Sequence, residues 1–547
     1  MNTTSVHSGT GIRPRRPWRR FRIAAIVLLS TALLLALIEG AARVYTAARP
    51  SARPSWVDLL TASSMRDGYY FLSSHELPSR PISQRSPELT ISKEPGTIRI
   101  AAFGASSVYG TPFRPDAAFP HMLLRLLRAQ WPNAAFEAFN FGSPGRTYYF
   151  SLQTVRDCLP LRPDYLIVLG GGNELHPAGM AFAAQRRANP LWRLTDPEGW
   201  LARRSRACAM ALGVGRSGRD GGGNAARVDG AEQAELAGAV ASAVEDFAWI
   251  TDRLLAIAQE CEAQVVYLTH LRNLRDFPPE PGADELPALA ADEAERLAAQ
   301  TDRSAVESYQ LARHYDRAGD VAQARRLYEE ASNETVWKVR THGRIQEFIR
   351  GMPARYPSVM LVDVEDALEK DSPGGILGDE AMIDHCHPTL HSQFRIAQEI
   401  AEALRPGLEK RLGPPTGAMP AFEDIVEQLV PDPKALMDEG NEWSGYENLT
   451  CFRWKRARSY FEKRLESGYS LLSALGLGAA CMELHDAAGA EVVAHLILQH
   501  STIPEIEALV HGKAGFAEIF FGEYLRDRER PPGSGPDSRE SSRRPSL

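Results

Sequence analysis

Short apolar segments alternate with amphipathic ones between residues 97 and 407, and this alternation restricts the available folds more than any other feature. The segments "TIRIAAFG", "AFEAFNFG" and "DYLIVLGGG" are predicted to form strands, whereas "AAFPHMLLRLLRAQW" has apolar residues at helical spacing. The third strand is almost wholly apolar, as expected of a strand that is buried on both faces. Strands that alternate with helices predict an α/β fold in which helices cover a parallel sheet.

Two further apolar segments extend the predicted sheet. "AQVVYLTHL" follows a long helix, and "SVMLVDVEDAL" at residues 358–368 is predicted as the last strand, before a closing helix "HSQFRIAQEIAEAL". The sheet domain is therefore expected to span residues 96–410. Two insertions interrupt it, a loop-rich one at residues 176–230 and a helical one at residues 285–350.

The helical insertion has the spacing of a helix–turn–helix unit. Its small and aromatic residues match positions of a tetratricopeptide repeat (TPR), and they are Leu311, Ala312, Tyr315, Ala324, Tyr328 and Ala331. One such unit cannot bury its own apolar face, so it must pack on another element. TPR-like helices also offer a surface for a protein partner.

A chain of 547 residues is long enough for two or three domains. Residues 411–525 are predicted to be mostly helical with weak repeat-like spacing, and the sequence leaves open whether they pack on the sheet domain. The last residues, 526–547, lack apolar groups and are predicted to be disordered.

The N-terminus combines a basic block, "RPRRPWRRFR", with an uncharged apolar segment at residues 23–38. Residues 1–20 are predicted to be a cytoplasmic tail and residues 21–45 a transmembrane anchor, because basic flanks stay on the cytoplasmic side. The rest of the chain is then extracytoplasmic, in the periplasm or outside the cell. A cleaved secretory signal fits the same pattern and also exports the chain. Residues 46–95, rich in Pro, Ser and Arg, are predicted to form a stalk.

Composition excludes some partners. A net charge of −7 over this length argues against nucleic acid, because phosphate binding needs concentrated Lys and Arg. The six cysteines are scattered without a C-x-x-C pair, which argues against a zinc finger and against a disulfide framework.

Residues suited to acyl transfer follow the predicted strands. The first strand ends in "FGASSVYG", the second in "NFGSPG" and the third in "GGGNEL", and "MIDHCHPTLH" follows the last. Ligands bind at the carboxyl ends of strands in open parallel sheets. Ser106 needs a base, which His387 could be, with Asp384 orienting the imidazole. The backbone N–H groups of Ser106 and Gly142 and the side-chain amide of Asn173 could stabilise an oxyanion.

These four motifs, in this order, resemble the SGNH or GDSL-like hydrolase superfamily over roughly residues 97–407. The resemblance implies a three-layer, flavodoxin-like sheet, a catalytic set of Ser106, His387 and Asp384, and an oxyanion hole of Ser106, Gly142 and Asn173. The "GDS" of the family is "GAS" here, with Ala105 in place of Asp. The segment "THLRNLRDFPP" also resembles one found in membrane-anchored members that carry repeats.

Several alternatives stay open. Ser107 is a substitute nucleophile, and a metal site built from His385, His387 and His391 can be imagined, although no H-E-x-x-H motif accompanies it. A phosphate loop is disfavoured because no Gly-Lys-Ser/Thr follows the first strand. The expected function is a cofactor-independent serine esterase that acts on O-acyl esters of small molecules or glycans. A polysaccharide O-acetyltransferase in an export complex and an inactive scaffold are the alternatives.

Overall fold

A computed structural model describes most of the chain between the first strand and the last helix. Apart from residues 36–37, everything described belongs to one compact unit that spans Pro54–Gln185 and Asp220–Leu547. The described residues are 36–37, 60–66, 69–72, 93–157, 159–175, 233–335, 339–430, 432–513 and 525.

One sheet organises this unit, with its strands in the order β1-β2-β4-β3-β5-β6-β7. All neighbouring strands are parallel except β1 and β2, which pair antiparallel at the edge. The strands are β1 (Leu60–Arg66), β2 (Tyr69–Leu72), β3 (Ile98–Gly104), β4 (Phe136–Gly142), β5 (Tyr165–Leu169), β6 (Gln264–Leu268) and β7 (Val359–Val362).

Two sequence predictions are corrected by the sheet. The predicted stalk at residues 46–95 contains β1 and β2, and β2 joins the sheet because Tyr69 packs into its core and pairs with β4. The predicted strand at residues 358–368 ends at Val362. There the Asp363 side chain accepts a hydrogen bond from the N–H of Asp366 and caps a helix.

Helices cover both faces of the sheet. Within the described residues up to 412 they are α1 (Ser106–Tyr109), α2 (Phe119–Gln130), α3 (Tyr148–Asp157), α4 (Gln233–Glu260), α5 (Ala291–Ala298), α6 (Ala305–Ala318), α7 (Val321–Glu334), α8 (Gly343–Arg350), α9 (Met352–Arg355), α10 (Val364–Asp371) and α11 (Leu390–Leu412).

The alternation of side chains along β3 divides the core into two layers. Ile98, Ile100 and Ala102 pack with α2 and α11 on one face. Ala101 and Phe103 pack with α3, α4 and α8 on the other. Successive side chains of a strand point to opposite faces, so a strand that is apolar throughout is covered on both sides. The structure thus confirms a parallel α/β sheet between two helical layers.

The helical insertion contains a pair of packed helices, α6 and α7. Gly319 and Asp320 separate them, and their apolar faces form a small core of their own, which also includes Leu274 and Ile376 from the sheet domain. The insertion therefore packs on another element, as its spacing requires. The assignment of these helices to a tetratricopeptide repeat stays a prediction.

The C-terminal region is helical and attaches to the sheet domain at its start. Ile425, Leu429 and Leu436 belong to the core under the sheet, whereas Phe461 and Ile497 belong to a separate helical core. Its helices are α12 (Phe422–Leu429), α13 (Pro433–Thr450), α14 (Trp454–Glu466), α15 (Leu471–Glu483), α16 (Ala487–His500) and α17 (Ile503–Lys513).

Among the residues that the structure describes, no helix has both the length and the apolar character needed to cross a bilayer. The predicted anchor at residues 21–45 lies outside the described residues except for Ala36 and Leu37. The predicted tail at 1–20, the loop-rich insertion at 176–230 and the predicted disordered end at 526–547 also lie outside them.

Candidate active site

The register of the sheet brings three of the predicted motifs to one edge. Gly104 at the end of β3 pairs with Gly142 of β4 on one side and with Leu169 of β5 on the other. The segments that follow these three residues therefore leave the sheet at the same level. This is the carboxyl edge, where α/β proteins place their ligands.

Ser106, His387 and Asp384 form a continuous chain of hydrogen bonds at this edge. The Nε2 atom of His387 lies 2.7 Å from Oγ of Ser106, and its Nδ1 atom lies 2.5 Å from Oδ2 of Asp384. Ser106 is partly exposed, His387 is buried and Asp384 is fully buried. The structure thus brings together the three residues predicted to be catalytic, with Ser106 the most exposed of them and Asp384 the most buried.

The Asp384 carboxylate is held in place by the backbone as well as by the imidazole. Its Oδ1 atom accepts hydrogen bonds from the N–H groups of Cys386 and His387, both at 2.9 Å. Because Oδ1 is occupied in this way, Oδ2 is presented to the ring of His387. The short D-x-x-H spacing therefore places both side chains on one loop, with Oδ2 of Asp384 held against Nδ1 of His387.

The negative charge of Asp384 and the positive charge of protonated His387 stabilise each other, and this shifts the pKa of both groups. Burial alone would lower the pKa of His387, but the Asp384 carboxylate raises it well above the usual value. Burial alone would raise the pKa of Asp384, but the imidazoles of His387 and His385 and the hydrogen bonds lower it below the usual range. Asp384 is thus an anion that stabilises an imidazolium, as a general base requires.

Ser107 has a structural contact instead of a catalytic one. It is buried, and its hydroxyl donates a hydrogen bond to the carbonyl of Cys386 at 3.2 Å. This bond ties the turn after β3 to the loop that carries Asp384 and His387. The substitute nucleophile is therefore directed away from the imidazole that Ser106 contacts.

The structure corrects the role expected of Gly142. Its N–H donates a hydrogen bond to the side-chain oxygen of Asn140 at 2.9 Å, so this donor is already occupied. A Cβ atom at this position would lie 2.2 Å from the backbone nitrogen of Tyr109. Gly142 is glycine because two backbone segments approach closely here, not because its N–H faces a substrate.

Gly145, three residues further on, has the properties that Gly142 lacks. It is exposed, its φ is +71°, and a Cβ atom there would meet nothing within 4 Å. Within the described part of the chain, its N–H and that of Ser106 have no hydrogen-bond acceptor. Asn173 lies beside it, since its side-chain nitrogen donates to the carbonyl of Arg146 at 2.8 Å. Ser106, Gly145 and Asn173 are therefore the candidate oxyanion donors.

Glu174 is a structural residue of this edge that the sequence did not single out. Its buried carboxylate accepts a hydrogen bond of 2.6 Å from the N–H of Tyr148, the first residue of α3. Asn173 and Glu174 together hold residues 146–148, which follow Gly145. The only sequence signal for this role was the position of Glu174 immediately after the "GGGN" motif.

The three histidines imagined as a metal site do not form a common ligand group among the described residues, although the rings of His385 and His387 lie 5.6 Å apart. The ring of His391 lies 5.0 Å from that of Phe422, and Nδ1 of His385 lies 3.7 Å from Sγ of Cys451. Among the described residues, the groups close enough to share a cation are Asp384–His385–Cys386 and Asp384–His387–Glu447. Both use the Asp384 carboxylate, which is already bound to His387. The expectation of no metal stays a prediction.

The C-terminal region contributes a second carboxylate to the site, which sequence reasoning missed. An oxygen of Glu447, on α13, lies within 4.8 Å of ligand atoms of both Asp384 and His387. Burial raises the pKa of Glu447, and the charge of His387 offsets only part of this effect. No motif marked Glu447, because it reaches the site only through the packing of α13.

No protein-family model matches the sequence, and no curated protein matches it. Solved structures that match include a lipolytic protein of the G-D-S-L family from Desulfitobacterium hafniense DCB-2, with 9% identity and a TM-score of 0.28 over 56% of this chain and 99% of that one. The acetyl xylan esterase AlAXEase matches with 11% identity and a TM-score of 0.26 over 56% of this chain and 100% of that one.

A catalytic mutant of Axe2, an acetylxylan esterase from Geobacillus stearothermophilus, matches with 12% identity and a TM-score of 0.26, over 56% of this chain and 94% of that one. With identities of 9–12% and TM-scores of 0.26–0.28, all three are distant matches.

Proposed function

We propose that this protein is a serine-dependent esterase that hydrolyses O-acyl esters through an acyl-enzyme. The observation that supports the proposal best is the hydrogen-bonded series Ser106–His387–Asp384, at 2.7 and 2.5 Å, on the carboxyl edge of a parallel sheet. A serine hydroxyl is a weak nucleophile at neutral pH and needs such a base.

In the first half of the reaction, Oγ of Ser106 attacks the ester carbonyl while Nε2 of His387 accepts the hydroxyl proton. The negative charge that develops on the carbonyl oxygen is stabilised by the N–H groups of Ser106 and Gly145 and by the Asn173 amide. The tetrahedral intermediate then collapses. The ester C–O bond breaks, His387 gives its proton to the leaving alcohol, and the acyl group remains on Ser106.

In the second half, water attacks the acyl-enzyme. His387 takes a proton from the water, the same donors stabilise the second oxyanion, and the proton returns to Oγ of Ser106 as the carboxylic acid leaves. Every proton in this cycle passes through His387, whose charged form Asp384 stabilises. The proposed chemistry uses no metal or organic cofactor.

The proposed substrates are O-acyl groups on glycans, polysaccharides or lipids outside the cytoplasm. This part of the proposal comes from the basic block and the uncharged segment at residues 23–38, which favour an anchored or exported chain. A transferase is the second candidate, in which a sugar hydroxyl replaces water in the second half-reaction. The transferase is favoured by the helices added to the sheet domain, α5–α8 and α13–α17. These helices offer surfaces on which an export complex could assemble.

Labelling with a fluorophosphonate tests the proposal directly, because the probe reacts with a serine activated by a neighbouring histidine. We expect the wild-type chain to be labelled and the Ser106→Ala variant to remain unlabelled. A wild-type chain that never reacts would support the inactive scaffold, and equal labelling of both proteins would place the nucleophile elsewhere. Mass spectrometry of the products with and without a glycan acceptor separates hydrolysis from transfer.

A further inference from the structure

The loop of residues 379–387, here called the acid–histidine loop, carries Asp384 and His387 without belonging to a helix or strand. Its carbonyls at Asp379, Met382 and Ile383 accept no hydrogen bond from any backbone N–H in the described part of the chain. Buried carbonyls are normally paired, so the partners of these three groups decide how firmly the loop is held.

Arg456 of α14 is a partner of all three carbonyls. Its Nη2 atom donates to the carbonyls of Asp379 at 3.0 Å and Met382 at 2.9 Å, and its Nε donates to that of Ile383 at 3.1 Å. Its Nη1 lies 2.5 Å from the Asp379 carboxylate. One planar guanidinium therefore binds three carbonyl groups in the first half of the loop. A lysine ammonium could not donate to all three with the same geometry.

Asn448 of α13 adds a second hydrogen bond to the Ile383 carbonyl, which immediately precedes Asp384. The side chain of Asn448 is fully buried, and its nitrogen donates to Ile383 at 3.1 Å and to the carbonyl of Ser444 at 2.9 Å. The two helices thus hold the same peptide group, directly before the catalytic acid, from two directions.

The base of the loop is fixed between the C-terminal helices and the segment after β6. Arg453 donates to both oxygens of the Asp379 carboxylate, at 3.1 and 2.8 Å. From the other side, Asn273 donates to Asp379 at 2.8 Å and to the carbonyl of Asp384 at 2.9 Å. The loop is therefore held between two parts of the chain that lie far apart in the sequence.

We propose that the C-terminal helices α13 and α14 complete the catalytic centre, with Arg456 and Asn448 as positioning residues that hold the acid–histidine loop so that His387 reaches Ser106. The inference rests on the proposed function. A displacement of about 1 Å at a catalytic group can reduce the rate about 10²-fold, so contacts outside the substrate site can control turnover in this way. The C-terminal region is then part of the enzyme's active unit and not an appended module.

The test compares Arg456→Ala and Arg456→Lys with Arg458→Ala in the full chain. Arg458 lies on the same helix but pairs with Glu462 and Asp486, both at 2.8 Å, which lie outside the loop. For each protein we would measure the rate of fluorophosphonate labelling, kcat and KM for an activated acetyl ester, the pH dependence of kcat/KM, and the melting temperature.

We expect both Arg456 variants to label and turn over about 10²-fold more slowly, with KM changed less than about twofold and Arg458→Ala like the wild type. The acid limb of the pH profile should move to lower pH, because a loosened loop stabilises the imidazolium of His387 less. Millimolar guanidinium should restore part of the turnover of Arg456→Ala but not of Ser106→Ala.

Labelling of folded Arg456→Lys at the wild-type rate, with an unmoved pH profile, would overturn the inference. If Arg456→Ala does not fold, the same labelling rates, kinetic constants and pH profiles are measured on Arg456→Lys and Asn448→Ala, which are smaller changes to the protein. A wild-type chain that does not react with the probe would instead count against the proposed function, so the two failures are distinguishable.

Discussion

The Nε2 atom of His387 lies 2.7 Å from the Oγ atom of Ser106, although 281 positions separate the two residues in the chain. The sheet places Ser106 at its carboxyl edge, and the acid–histidine loop returns His387 to the same edge. Ser107 ties the two segments together through the carbonyl of Cys386. The three residues of the proposed catalytic series are therefore aligned in the free protein, before any substrate binds.

Replacement of Asp384 tests the charge relationship in this series. Because Asp384 raises the pKa of His387, the neutral imidazole that accepts a proton prevails only at higher pH, and activity falls as pH drops through that pKa. Asp384→Asn should lower turnover by about 10⁴ and move the acid limb to lower pH, since the imidazolium loses its anion. The pH dependence of kcat/KM for an activated acetyl ester measures both effects, and an unmoved limb would contradict the assignment.

Asn173 is expected to act as an oxyanion donor. Asn173→Ala should reduce kcat by about 10²–10³, because a fixed donor aimed at the developing charge is lost. The side chain also donates to the carbonyl of Arg146 at 2.8 Å, so a melting curve is needed to separate catalysis from loop stability. A rate close to that of the wild type would remove Asn173 from the site.

The two glycines after β4 should respond differently to alanine. Gly142→Ala places a Cβ atom 2.2 Å from the backbone nitrogen of Tyr109, so we expect a loss of about 3 kcal/mol or more in the free energy of unfolding, at the upper end for overpacking. The added Cβ atom of Gly145→Ala meets no other atom within 4 Å. This variant should therefore lose only about 1–2 kcal/mol in the free energy of unfolding, because alanine disfavours the left-handed φ of this position. Urea unfolding of both variants checks this order. A fully stable Gly142→Ala would refute the close approach.

Ser107→Ala is the matched control for the nucleophile. It removes one hydrogen bond to the Cys386 carbonyl, which should cost about 1 kcal/mol of stability while fluorophosphonate labelling persists. Loss of labelling in a folded Ser107→Ala protein, with labelling retained in Ser106→Ala, would reverse the roles of the two serines. The labelled peptide can be identified by mass spectrometry in either case.

Much of the sheet was predictable because its strands are short, apolar and bounded by small residues. β3, β4, β5 and β6 lie where the pattern placed them, since strands covered on both faces are mostly apolar. β1, at the edge of the sheet, and its neighbour β2 were missed because they lie in a segment rich in Pro, Ser and Arg, where the residue pattern gives little signal.

The prediction of Gly142 as an oxyanion donor conflicts with the structure for a different reason. Both Gly142 and Gly145 are glycines near a strand end, and sequence alone does not show that the Asn140 side chain occupies the N–H of one of them. Likewise, nothing in the sequence around Arg456, Asn448 or Glu447 indicates acyl-transfer chemistry. Their importance comes from the way in which α13 and α14 pack on the acid–histidine loop.

The sequence by itself determined the α/β class, the strand ends and the identity of Ser106, Asp384 and His387, because local patterns encode which segments are buried and which residue types follow them. Only the tertiary structure decided which backbone N–H groups of the described residues lack an acceptor, which serine contacts the imidazole, and that the C-terminal helices contact the acid–histidine loop. Those outcomes depend on distances between segments far apart in the chain, and no local pattern of residues records such distances.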